Sequence, residues 1–302
     1  MTLRHLEIFI EVRRMESITK AANNLNLAQP AVSRAIRELE SFYGTQLFER
    51  MNRKLYVSPA GEQLFLYANS IISQFYEAKD VLTDHNYATK IRIGSNISCG
   101  QSLVPKLLKS FGTAFPDIPV YLKVSNSKEI EEALLLNELD FAFMDTPKKT
   151  EYFYSQKICE DQMLMLGAAD SPISSLTLDQ LSAIPLLVRE SGSGSRQMVD
   201  RLFAQNGTPP VIAMESSNVY SLKEMCRAGF GILILTQCMA DSWPDRSGLK
   251  EIHLQGQCLS RSYCFVYHKS KYLTKSMKHF LHFAAKNVKG SCPRTDKKTS
   301  AV

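Results

Sequence analysis

Two groups of side chains in this sequence have the types and spacing to do chemistry. In the first, Gln29, Pro30, Ser33, Arg34 and Arg37 share one face of a helical stretch whose other face carries Val32, Ile36 and Leu39. A carboxamide such as Gln29 can bond a base edge, a small Ser33 does not block close approach, and arginine takes phosphate oxygens or guanine. In the second group, three loops each follow a strand-like apolar run: Ser95-Asn96-Ile97-Ser98, Ser125-Asn126-Ser127 and Ser191-Gly192-Ser193-Gly194-Ser195-Arg196. Hydroxyls and glycines at a helix start suit a small anion, because Gly permits close backbone approach and Ser donates without bulk. Arg196 is the cation expected to neutralise it. Each loop alone also reads as ordinary helix capping; three converging at the carboxyl ends of strands read as a ligand crevice.

The first group needs a framework of short helices. Ile18, Ala21, Ala22 and Leu25 at three- and four-residue steps predict one helix, a break falls at Asn26, and a second helix starts after Ala28 with Pro30 in its first turn. Two short helices joined by a tight turn suit insertion into a major groove, although most amphipathic pairs are simply packed helices. Leu3, Leu6, Phe9 and Ile10 predict a preceding helix that caps the pair, and Gly44 ends the recognition region. Leu55 to Val57, behind the basic tip Asn52-Arg53-Lys54, read as the returning strand of a hairpin. Arg53 is then the side chain to reach a minor groove or phosphate; the bland alternative is a solvated basic loop.

Ser58 and Pro59 signal a further helix start. From there to about Tyr87, Leu64, Ala68, Ile71, Phe75, Ala78 and Leu82 keep a heptad seam. About 29 residues of helix would be near 43 Å long. Such a rod is not expected to bury its seam within its own chain, so it should pair with its copy and present two recognition helices to a two-fold site; packing on its own C-terminal domain is the alternative.

Beyond a polar break at His85 to Thr89, strands and helices alternate. Strands are predicted at 91–94, 120–124 and 139–144, with helices at Gln101 to Phe111 and Lys128 to Leu136. A second set has strands at 185–188, 211–214 and 231–235 with helices near Arg196 to Gln205 and at Val219 to Arg227. A strand at 263–268 and a helix near Thr274 to Lys286 return the chain. This rhythm implies mostly parallel sheet covered by helices. The stretch from Lys289 to Val302 has too little apolar content to fold and is expected to be a disordered tail.

Bulk composition fits these elements. A chain of 302 residues with 44% hydrophobic and 22% charged side chains is globular and large enough for two or three domains. A net charge of +6 is compatible with nucleic acid, and the basic residues Arg34, Arg37, Arg50, Arg53 and Lys54 cluster early, whereas Glu129, Glu131, Glu132, Glu138 and Asp140 crowd a later segment. Seven cysteines without a CxxC or His-paired spacing indicate neither a zinc site nor a disulfide framework, so no metal or cofactor is expected and a reducing cytoplasm fits best. No leader and no apolar run long enough to span a membrane is evident, so neither export nor a membrane partner is expected. Gly192-Ser193-Gly194 misses the nucleophile-elbow spacing, and the six histidines lie outside the pocket loops, so an enzyme is the least favoured reading.

LRHLEIFIEV, SITKAANNLNLAQPAVSRAIRELE, YGTQLFER and LYVSPAGE, in that order from residue 3 to residue 62, resemble the winged helix-turn-helix of LysR-type transcriptional regulators. IRIGSNISCGQSLVPKLL, EEALLLNELDFAF, VRESGSGSRQMVDRLF and SLKEMCRAGFGILILT resemble the effector domain of the same family, so the likeness covers nearly all of the first 290 residues. It implies an N-terminal all-α winged helix-turn-helix (1–58), a dimerising linker helix (59–89), and an α/β periplasmic-binding-protein-like effector domain (90–288). The two subdomains of the latter would be about 90–162 with 268–288, and about 163–267. It further implies that Gln29, Pro30, Ser33 and Arg34 open the recognition helix, with Arg50, Arg53 and Lys54 in or near the wing. Asn96, Ser98, Ser193 and Ser195 become the foremost effector ligands, joined by Ser125, Asn126 and Arg196, and the GSGSR run suggests a carboxylate or inorganic oxyanion. Ala28 departs from the Ser or Thr usual before Gln-Pro, a loss of about 1 kcal/mol of helix capping. The expected function is a promoter-binding regulator, dimer or dimer of dimers, modulated by a small effector, with RNA polymerase a further candidate partner. One branch of the family senses peroxide through cysteine, which makes thiol-based sensing the rival reading; Cys99 and Cys258 are the thiols outside apolar stretches.

Overall fold

Apolar side chains repeating at helical spacing close the N-terminal segment around a small core. Helices α1 (Leu3–Met15), α2 (Ile18–Asn24) and α3 (Gln29–Tyr43) bury Phe9, Val12, Ala21, Val32 and Leu39 completely. The computed structural model describes residues 1–51, 54–83, 90–256 and 259–288 of the chain. Its contacts divide into two compact units, Met1–Tyr87 with Leu135–Glu138, and Ala88–Leu134 with Leu139–Val302.

In the first unit, Ser17 caps α2 by accepting from the Lys20 N–H at 3.3 Å, whereas Ala28 stands before α3 with no side-chain cap. Gly44 ends α3 at φ 65°, the left-handed conformation that glycine adopts without strain. Strands β1 (Phe48–Met51) and β2 (Lys54–Val57) form an antiparallel wing with Phe48 opposite Val57. Helix α4 (Pro59–Thr83) follows at once: Ser58 Oγ accepts from the Gly61 N–H at 3.0 Å and donates to the Gln46 carbonyl at 2.7 Å, fastening the helix start to the wing. Arg13 of α1 donates to both carboxylate oxygens of Glu62 at 3.1 Å and stacks 4.2 Å from the Phe65 ring.

The heptad seam of α4 divides, contrary to the expectation that none of it is buried on its own chain. Leu64 and Ala68 join the core of the helix-turn-helix, because α1 lies against this end of the rod. Ile71, Phe75 and Leu82 stay 42%, 52% and 75% exposed. The seam beyond Thr83, the residues 84–89 and the tail 289–302 lie outside the described residues.

The second unit is built on one sheet. Its elements are β3 (Ile91–Asn96), α5 (Ile97–Ser102), α6 (Val104–Ala114), β4 (Val120–Ser125), α7 (Ser127–Leu135), β5 (Phe141–Asp145), β6 (Phe153–Ala168), β7 (Ser175–Leu176), α8 (Leu178–Ser182), β8 (Leu186–Arg189), α9 (Gly194–Asn206), β9 (Ile212–Ser216), α10 (Val219–Arg227), β10 (Ile232–Thr236), α11 (Gln237–Asp241), β11 (Leu249–Leu254), β12 (Ser260–His268) and α12 (Lys275–Asn287). The sheet runs β4-β3-β5-β12-β6-β10-β8-β9, with β11 joining β6 to β7. The strands β3, β4 and β5 are parallel to one another, as are β8, β9 and β10. Between these two parallel sets, β6 and β12 run antiparallel to each other and to their outer neighbours. The sequence pattern misses β6, since FYSQKICEDQ is too polar to announce a strand; it is held by its ladder with β12. Among the described residues no helix is long and apolar enough to cross a membrane.

Candidate functional site

The face of α3 expected to meet DNA is open. Gln29, Pro30, Arg34 and Arg37 are exposed and Ser33 is half-buried, while Val32, Ala35, Ile36 and Leu39 turn inward. Arg50 is exposed on β1 opposite Leu55. Arg53 lies outside the described residues.

The crevice forms where the carboxyl ends of β3, β4, β5 and β8 face helix starts across the sheet. Asn96, Ser98, Asn126, Ser193 and Ser195, all expected there, line it together with Ile97, Ser127, Arg189, Gly194 and Arg261 around a cavity of only about 10 Å3. Ser193 caps α9 by accepting from the Arg196 N–H at 3.1 Å, and Asn96 caps α5 by accepting from the Cys99 N–H at 2.8 Å. First-turn N–H groups of a helix have no partner within it, so these starts are available to negative charge.

Two expected ligands are used elsewhere. Ser125 donates to the Glu129 carboxylate and does not line the crevice. Arg196 pairs with Asp200 at 2.8 Å and with Glu215. Burial works against its charge, but those two carboxylates raise its pKa, and Glu215 in turn sits below the usual carboxylate value because of Arg196 and the Ser191 N–H. The turn of helix that follows Ser193 carries the Arg196 side chain toward β9.

The cation at the centre of the crevice's hydrogen bonds is Arg261, on β12 opposite Asp161 of its antiparallel partner β6. It is 7% exposed. Its Nη2 donates to Ser98 Oγ at 2.6 Å and to the Tyr263 hydroxyl at 2.8 Å, its Nη1 donates to Ser195 Oγ at 3.3 Å, and the same Nη1 lies 3.3 Å from Asp145 Oδ1. The Tyr263 hydroxyl in turn donates to Asp161 at 2.8 Å, and the Cys238 N–H donates to the other Asp161 oxygen at 3.2 Å. Burial opposes the Arg261 charge, yet Asp145 and Tyr263 hold its pKa above the ordinary value; burial pushes that of Tyr263 well up, so it stays a donor. Arg189, which also lines the crevice, is held by Glu190 at 2.8 and 2.9 Å. The sequence signal for Arg261 was a lone arginine entering a strand otherwise apolar, and for Asp145 a carboxylate at the carboxyl end of β5.

Residues 3–62 match the model of the bacterial regulatory helix-turn-helix protein, lysR family, and residues 85–289 match that of the LysR substrate binding domain. The chain belongs to the LysR family. It is a DNA-binding transcriptional regulator with an effector-binding domain, and its winged head and two-part α/β domain have the fold of that family. It is 32% identical over 285 residues to the HTH-type transcriptional regulator YeiE of Escherichia coli K12, covering 94% of this chain and 97% of that one. The regulatory domain of Synechocystis PCC6803 CcmR, solved in complex with 2-PG, is 23% identical with a TM-score of 0.60 and covers 67% of this chain and 96% of its own. Full-length CbnR, solved with its target DNA, is 20% identical with a TM-score of 0.59 and covers 97% and 100%. These last two likenesses concern the fold.

Three of the described thiols are held in their protonated form by burial. Cys99 is fully buried, and burial followed by the Asp145 charge pushes its pKa well up; burial takes Cys226 and Cys238 to about 11. Cys258 lies outside the described residues. At pH 8 a thiol near 11 is ionised to roughly one part in a thousand. Iodoacetamide at pH 8 should therefore leave Cys99, Cys226 and Cys238 unmodified in the folded chain and label them after denaturation, as read by peptide mass spectrometry. Rapid labelling of Cys99 in the folded protein would restore the thiol-sensing reading.

Proposed function

We propose that this regulator binds an interrupted two-fold promoter site and that a small carboxylate or inorganic oxyanion, held in the crevice, changes how its heads sit on that site. The observation that carries the effector class is Arg261: a guanidinium buried at the crossing strands, ringed by Ser98 and Ser195, with its Nε buried and without a hydrogen-bond partner. The 2-PG bound to the CcmR domain supports a small molecule as the class of effector. Gln29, Pro30, Ser33, Arg34 and Arg37 read the major groove, and Arg50 and Arg53 contact the wing-side backbone. The protein acts in the cytoplasm as a regulator and not as an enzyme, with no membrane partner; RNA polymerase is a partner of the bound assembly. The head spans 1–58, the linker 59–89 and the effector domain 90–288. Ile71, Phe75 and Leu82 form the apolar strip by which two copies pair, and two such pairs make the tetramer. The effector acts only if it prefers one arrangement, since equal affinity for both shifts nothing.

Substituting Arg34→Ala should cost about 1–3 kcal/mol on an operator selected from a random DNA pool and narrow the gap to unrelated DNA. Mobility shifts over a salt series measure both; an unchanged operator affinity would contradict the recognition face. Screening small carboxylates and oxyanions by thermal shift identifies the ligand. The Ser98→Ala, Ser195→Ala double variant should then lose the shift by tenfold or more in ligand concentration, in order of magnitude, and still bind DNA. A normal ligand response in that variant would move the site elsewhere.

A further inference from the structure

Asp145 ends β5, and its carboxylate lies among the very donors just assigned to an effector. Ser127 Oγ donates to its Oδ2 at 2.5 Å and Asn96 Nδ2 donates to the same oxygen at 3.1 Å. Arg261 Nη1 stands 3.3 Å from Oδ1. Gly194, the first residue of α9, is pressed against it: a Cβ at that position would fall 2.0 Å from Oδ2, so a side chain there would drive the carboxylate and the helix start apart. A hydroxyl, a carboxamide, a guanidinium and a helix start are together how a protein holds a bound acid. The fit is incomplete, however. Asp145 Oδ1 and Arg261 Nε are both buried without a hydrogen-bond partner, and the Arg261 side chain is only 6% exposed. The pair therefore keeps unused bonding capacity.

We propose that Asp145 is a resident stand-in for the acid group of the effector, and that a carboxylate effector binds by displacing it from Ser127, Asn96 and Arg261. This rests on the crevice being the anion site. Two carboxylates cannot share one guanidinium and one helix start without strong like-charge repulsion, so an arriving acid and Asp145 exclude each other. Being tethered, Asp145 competes at a high effective concentration, which sets a threshold that a free monoanion with no other contacts does not pass. Asp145 also lies opposite Tyr263 in the β5–β12 ladder, next to the Arg261 network on the crossing strand. Its displacement is thus felt where the two halves of the domain join, and binding and rearrangement become one event.

The test is calorimetric titration of formate, acetate and inorganic phosphate into the full chain, as wild type, Asp145→Ala and Asp145→Asn. The expected result is at least one anion bound about tenfold or more tightly by both variants than by wild type, with the gain abolished by adding Arg261→Gln. Equal or weaker binding by the Asp145 variants, or none by any of the proteins, overturns the proposal. If binding is equal in all three but lost with Arg261→Gln, the crevice remains an anion site and only the stand-in role falls. Binding indifferent to Arg261 removes both readings. Should the alanine variant fail to fold, the isosteric asparagine carries the comparison; if neither folds even with these anions present, Asp145 is structural and cannot be displaced, which also contradicts the proposal.

Discussion

A guanidinium can be held away from water only if most of its donors are met, and in this protein the partners of Arg261 come from both halves of the effector domain. Ser98 follows β3, Ser195 opens α9, Tyr263 lies two residues along β12, and Asp145 ends β5. Leaving such a charge unpaired costs about 3–5 kcal/mol. The positions of these elements relative to one another are therefore tied to a single side chain on β12, beside β6. A change at any one partner therefore alters the hydrogen bonding of the guanidinium that the others share.

The N-terminal unit solves a different problem with the same economy of contacts. Its core takes Val32, Ile36 and Leu39 from α3 and so fixes which face of that helix remains outside. The start of α4 is fastened to the segment that leads into the wing by one serine, since Ser58 both accepts from the Gly61 N–H and donates to the Gln46 carbonyl. Arg13 and Glu62 then connect α4 to α1, with the Phe65 ring beneath the guanidinium. The rod and the reading helix are consequently parts of one small core, while Ile71, Phe75 and Leu82 of α4 stay exposed.

Periodicity made the helices and the short buried strands legible: Val219 to Arg227 is predicted and observed with the same bounds, and α3 begins where Pro30 and the apolar repeat place it. The serine and asparagine of the crevice were legible for a local reason, because they cap helices that follow strands. Arg196 misled because proximity in sequence to Ser193 and Ser195 says nothing of the carboxylates, Asp200 and Glu215, that claim it. The cation that does face the crevice is far away in sequence and arrives through β12, whose pairing with the polar strand β6 no local pattern announces. The division of the α4 seam was hidden likewise, since a heptad repeat does not say which of its turns another helix of the same chain will cover.

The central claim, that the Arg261 charge is held by a partner on the opposing strand and thereby ties the crevice together, is tested most directly by a double-mutant cycle between Arg261→Met and Asp145→Leu in urea unfolding of the effector domain within the full chain. The account predicts that the double variant is less destabilised than the sum of the single ones, with a coupling above about 1 kcal/mol. Additivity to within about 0.5 kcal/mol would contradict it.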